Sequence, residues 1–85
     1  MDEEFRKQFD GLLEKYTELL LGEATEELTE KVKMWALYTH ISKSMPPLAK
    51  HWNVSYPDGK AAMIKVIEEI KTMNEQHRAS NSKES

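Results

Sequence analysis

The chain contains no cysteine. That absence removes disulfides, thiolate metal ligands and cysteine nucleophiles together, and it fits a reducing compartment. Glycine and proline are scarce, with three of each in 85 residues. The glycines stand alone at Gly11, Gly22 and Gly59, so there is no glycine-rich phosphate loop, and no serine occupies a Gly-x-Ser-x-Gly turn. Long apolar runs are missing as well. The longest, Met34-Trp35-Ala36-Leu37-Tyr38 and Ala61-Ala62-Met63-Ile64, fall far short of the roughly 20 residues that span a bilayer. Positive charge is not in excess: 15 acidic against 12 basic residues give a net charge of −3, which argues against a basic nucleic-acid coat or a polybasic membrane anchor. The start Met1-Asp2-Glu3-Glu4 is acidic where a secretory signal needs positive charge, and Asp2 stands where myristoylation needs glycine. The expectation is a cytoplasmic protein that does not enter the membrane.

A chain of this length has room for one folded unit, and it buries only about 60–65% of the surface it exposes unfolded. What it does have is helical periodicity. Phe5, Phe9, Leu12, Leu13, Tyr16, Leu19 and Leu20 recur at spacings of three and four over residues 2–21. Asp2, Glu3 and Glu4 suit the positive end of that helix, and Gly22 suits a left-handed stop. Gly11 inside it costs about 1 kcal/mol relative to alanine. Thr25 is the expected N-cap of a second helix that Pro46-Pro47 ends. Its two apolar rows, Leu28, Val32, Trp35 and Ala36, then Met34, Leu37, Tyr38, Ile41 and Met45, cover well over half the circumference. Such a helix is central in its domain or touches another chain.

A short third helix is predicted over 46–52, capped by Ser44, with 53–57 as a connector. Asp58 is the expected N-cap of a fourth helix reaching Arg78, with Met63, Val66, Ile67, Ile70 and Met73 as its apolar stripe. The fold class read from these patterns is all-α, a compact helical bundle of three long amphipathic helices plus one short connector helix. One domain spans residues 1–78, and the aperiodic 79–85 is expected to be a disordered tail.

Chemistry-bearing constellations are few. His40, His51 and His77 fall on three different predicted helices, without a His-x-x-x-His or Glu-x-x-His spacing. Adjacent pairs such as Glu26-Glu27 and Glu68-Glu69 point about 100° apart on a helix and form no two-carboxylate clamp. No catalytic, cofactor or metal residue is therefore assigned, and no enzyme is expected. The segment Leu48-Ala49-Lys50-His51-Trp52-Asn53-Val54-Ser55 resembles the first helix and turn of helix-turn-helix DNA-binding proteins. Lys43, Lys50, His51, Tyr56 and Lys60 would form the corresponding nucleic-acid patch. Against that reading, Tyr56-Pro57-Asp58-Gly59 stands where base-reading side chains belong, and the acidic chain offers little attraction to phosphate. The plainer reading is a helix–loop–helix corner whose Trp52 and Tyr56 close one end of the core.

The block Phe5-Arg6-Lys7-Gln8-Phe9-Asp10 and the stretch from Trp35-Ala36-Leu37-Tyr38 to His51-Trp52 are similar to a small uncharacterised family of Bacillus-type bacteria, labelled YusU-like. The resemblance implies a bacterial cytosolic setting and no assigned activity, so no functional residues carry over. The function expected is a small non-enzymatic interaction module or homodimer, its partner a protein or a second copy, using Met34, Leu37, Tyr38, Ile41, Met45 and Trp52. The alternative is a degenerate helix-turn-helix nucleic-acid binder centred on residues 48–60.

Overall fold

In a computed structural model, which describes residues 2–84 and the side chains of 2–80, the chain folds into four helices. They are α1 (Glu3–Leu21), α2 (Glu26–Ser44), α3 (Pro46–Ser55) and α4 (Pro57–Glu84). No strand occurs among the described residues, and the all-α class with three long helices and one short one holds. The first boundaries follow the local chemistry. The Asp2 carboxylate accepts from the Glu4 N–H at 3.2 Å, satisfying one of the orphan donors at the start of α1. Gly22 ends α1 at φ 93°, its N–H donating to the Glu18 carbonyl at 2.8 Å. A β-carbon there would also lie 2.9 Å from His77 Nδ1, so glycine is needed both for the turn and for the approach of α4. Thr25 caps α2, its hydroxyl accepting from the Leu28 N–H at 3.1 Å.

Three expectations about the second half are corrected. α3 runs to Ser55, not Trp52, and Ser44 closes α2 while Met45 forms the junction without a side-chain cap. Tyr56 alone separates α3 from α4, so 53–57 is not a connector. α4 begins at Pro57, which places Asp58 inside its first turn and not at its N-cap. A proline's fixed φ and missing N–H suit a first helical position, and the Asp58 carboxylate still lies near the positive end of the helix. Beyond Arg78 the helical backbone continues to Glu84, with no proline or glycine to stop it. Of the tail expected over 79–85, Ser85 and the side chains of 81–84 lie outside the described residues.

The core is small and sits where the end of α1, the start of α2 and the middle of α4 meet. Val32 is 0% and Ile70 2% exposed, with Leu21 and Leu28 beside them and Leu20, Trp35, Val66 and Met73 packed around the group. α2 and α4 each touch all three other helices. Thr17 is buried completely, and its hydroxyl donates to the Leu13 carbonyl at 2.8 Å, which is how a polar residue enters an apolar core without an orphaned group. Asn74 Nδ2 donates to the Leu20 carbonyl at 2.8 Å and pins α4 to the end of α1. Of the apolar row of α1 only Leu20 packs against this core, while Phe5, Phe9, Leu12, Tyr16 and Leu19 remain largely exposed.

Two features of this packing make testable statements. Thr29 Oγ1 is buried without a hydrogen-bond partner, a burial that costs about 1–3 kcal/mol. Thr29→Val, which keeps the shape and removes the hydroxyl, should leave thermal unfolding unchanged or raise its midpoint; a clear drop would show a partner for the hydroxyl in solution. Lys31 Nζ donates to both Glu69 oxygens, at 2.9 and 3.1 Å, joining α2 to α4. This hydrogen bond, with the attraction of Glu69 and Glu27, outweighs the opposing desolvation and holds the ammonium above its ordinary 10.5. A raised pKa contributes stability below the unfolded value that is lost as pH rises through the folded one. The difference in stability between the native chain and Lys31→Met should therefore be constant from neutral pH up to 10.5 and shrink above it, as read by denaturant unfolding across pH.

Candidate functional site

Past the core, α2, α3 and α4 enclose an apolar groove of about 490 Å³, within the usual range for ligand-sized sites. α2 contributes Met34, Leu37, Tyr38 and Ile41, α3 contributes Leu48, Ala49 and Trp52, and α4 contributes Gly59, Ala62, Met63 and Val66. No charged side chain lines it. Val66 also packs against the core, so the groove opens directly off the folded centre. Leu37 is 59% and Leu48 50% exposed, which leaves the groove open to solvent along one side.

Its shape is held by aromatic packing. Trp52 lies between two tyrosines, with ring centroids 5.9 Å from Tyr38 at 61° and 5.9 Å from Tyr56 at 43°, separations typical of edge and tilted aromatic pairs. The Tyr38 hydroxyl donates to Asn53 Oδ1 at 2.9 Å, which satisfies its polar tip and ties α2 to α3. Gly59 gives the indole its room: a β-carbon there would meet Trp52 Cη2 at 3.0 Å and Cζ2 at 3.1 Å.

Of the residues expected to form an interaction surface, Met34, Leu37, Tyr38, Ile41 and Trp52 line this groove, and Met45, exposed at the α2–α3 junction, stands outside the lining. Sequence reading missed the far wall. Leu48 was read as part of the helix-turn-helix-like segment and Met63 as a packing residue of the fourth helix, while Gly59 and Ala62 were assigned to no surface. The i, i+4 and i, i+3 recurrence of Gly59, Ala62, Met63 and Val66 on one face of α4 was the available sign.

The residues of the alternative patch lie on three helices and on the link between α3 and α4. Lys43 ends α2, Lys50 and His51 lie on α3 and Lys60 in the first turn of α4, all exposed, while the Tyr56 ring packs on Trp52. A helix-turn-helix needs a turn of three or four residues; here Tyr56 is the whole link between the helices. The three histidines serve separate surroundings. His40 Nε2 lies 3.3 Å from Ser44 Oγ on the same helix, His51 is exposed on α3, and His77 sits over Gly22. Among the described residues, no group of three His, Asp or Glu side chains is placed to hold a metal ion. A second, polar cleft of about 360 Å³ between α1 and α2 is bordered by Asp10, Glu14, Glu26, Glu30 and Lys33, whose charges are exposed to water. No helix among the described residues is long and apolar enough to cross a membrane.

Comparison with known proteins gives two matches. A family described as "Protein of unknown function (DUF2573)" matches residues 3–80. The Uncharacterized protein YusU of Bacillus subtilis (strain 168) is 63% identical over 78 residues, covering 92% of this chain and 82% of that protein. No solved structure matches the chain.

The tight seat of Trp52 against Gly59 can be checked directly. Gly59→Ala forces the indole to move by a few tenths of an ångström. Near-ultraviolet circular dichroism and tryptophan emission should change while far-ultraviolet helicity stays constant; an unchanged aromatic spectrum would mean the indole is not held against α4.

Proposed function

We propose that this chain, which belongs to the DUF2573 family of proteins of unknown function, is a non-enzymatic bacterial protein-interaction module, acting in the cytoplasm. Its groove between α2, α3 and α4 receives the apolar face of a partner's amphipathic helix. The observation that carries this reading is the groove itself: an open channel lined by eleven residues without one charged side chain, in a chain where a third of residues are charged. Exposed apolar surface of this kind is costly to leave in water and marks a place where something docks. A helix suits it because apolar anchors at i, i+3, i+4 and i+7 meet a groove between helices side by side.

The lining divides the work. Trp52 and Tyr38, immobilised by their mutual packing, are rigid aromatic anchors of the kind that dominate interface energetics. Met34 and Met63 supply flexible, polarisable surface that adjusts to a partner's side chains. With no charged side chain lining the groove, selectivity would come from shape and not from charge pairing.

The test uses a synthetic Leu/Lys peptide of about five helical turns with its leucines on one face, beside a permutation of the same composition with no apolar face. Tryptophan emission should move to the blue with the first peptide alone, with little dependence on salt, and Leu37→Glu should abolish the shift. Equal response to both peptides would contradict the reading. Binding to duplex DNA that falls steeply with salt and with Lys50→Glu would instead support the nucleic-acid alternative.

A further inference from the structure

The row that α1 leaves outside the core has a regularity that exposure alone does not explain. Phe5, Phe9, Leu12, Tyr16 and Leu19 follow one another at intervals of four, three, four and three. This is the alternation of the two seam positions of a heptad, the spacing that keeps apolar side chains facing a second helix laid alongside. All five are between 43% and 64% exposed, and the Phe5 and Phe9 rings lie along the row with centroids 6.3 Å apart. The side of α1 that meets its own domain carries Thr17 and Leu21, with Leu20 beside them, and Phe5 and Phe9 border a crevice towards Lys33 of α2. The apolar sector of α1 is therefore wider than its own chain covers.

We propose that this row is a homodimer interface in which α1 of one copy packs antiparallel on α1 of a second copy, about a two-fold axis at Leu12. Area supports a second copy. The chain exposes 6806 Å², against about 5,200 Å² expected for a folded monomer of 9.9 kDa, an excess that the α1 row shares with the open groove. Five half-exposed large side chains offer about 500 Å² per copy, so pairing two rows buries about 1,000 Å², the lower bound of a specific interface. The row is also self-complementary. Reversing one copy about Leu12 sets Leu12 on Leu12, Phe5 on the second copy's Leu19 and Phe9 within one residue's rise of its Tyr16, so apolar side chains meet along the seam. A parallel pair would bring both Asp2-Glu3-Glu4 clusters together, whereas the antiparallel pair separates them and opposes the helix dipoles.

The row shares no residue with the groove, so the two readings fail independently. Sedimentation equilibrium of the full chain at tens of micromolar should give about 20 kDa, twice the chain mass. Leu12→Glu, at a position 64% exposed, should weaken association by about tenfold or more while far-ultraviolet circular dichroism stays that of the native chain. Leu37→Glu, in the groove, should leave the dimer intact. Because the chain has no cysteine, single replacements report orientation without background. Leu12→Cys should cross-link to itself under mild oxidation, and Phe5→Cys, about 20 Å from its counterpart in the antiparallel pair, should not. A monomer at all concentrations overturns the proposal. So does a dimer broken by Leu37→Glu but not by Leu12→Glu, or a Phe5→Cys chain that cross-links as readily as Leu12→Cys.

Discussion

The structure depends on one meeting point: Val32 of α2 and Ile70 of α4, both virtually without solvent contact, closed in by Leu21 and Leu28. The nearby polar ties direct the helices to that point. Gly22 turns the chain at the end of α1, Thr25 restarts it, and Asn74 reaches from α4 to the Leu20 carbonyl. A chain this small has little interior to spend, and net stabilities are small differences between large opposing terms. The core is accordingly concentrated at one end of the bundle. Away from it, the N-terminal half of α1 and most of α3 are exposed, with Ala49 the buried residue of α3.

That concentration accounts for the surface. The end of α2 and the start of α4 leave the core with their apolar rows unfinished, and α3 bridges them without filling the space between, which produces the groove beside Trp52. The N-terminal part of α1 likewise extends with an apolar row that its own domain does not cover. The two surfaces differ in form. The groove lies between three helices and is lined in part by aromatic rings, whereas the α1 row runs along a single helix. On the two proposals together a dimer would carry two grooves, and a multivalent partner would then bind by effective concentration as well as by contact.

Much of the local architecture was legible because it rests on single residues with strong backbone preferences. Gly22, Thr25 and Pro46-Pro47 marked boundaries that the structure keeps. The extension of α3 through Asn53, Val54 and Ser55 was not legible, since these residues favour helix weakly and are held by a tertiary bond from Tyr38 to Asn53 and by the Trp52 stack. Burial on α1 was read from the obvious apolar row, yet the residue at the centre of the contact is Thr17, whose hydroxyl turns back onto the Leu13 carbonyl. Which of two faces a helix buries depends on where the other helices lie. For the groove, one wall was evident in the apolar excess of α2, and the other, on α4, is built partly from Gly59 and Ala62, whose contribution is the space they leave.

If stability resides in the small core and the remaining apolar surface is covered by a second copy, native-state hydrogen exchange across a series of protein concentrations separates the two contributions. The slowest amides should lie around residues 28–32 and 66–70 at every concentration. Amides of residues 5–16 should exchange quickly in dilute solution and gain protection as concentration rises, with those of α3 unaffected. Protection spread evenly along all four helices, and unchanged by concentration, would contradict that division.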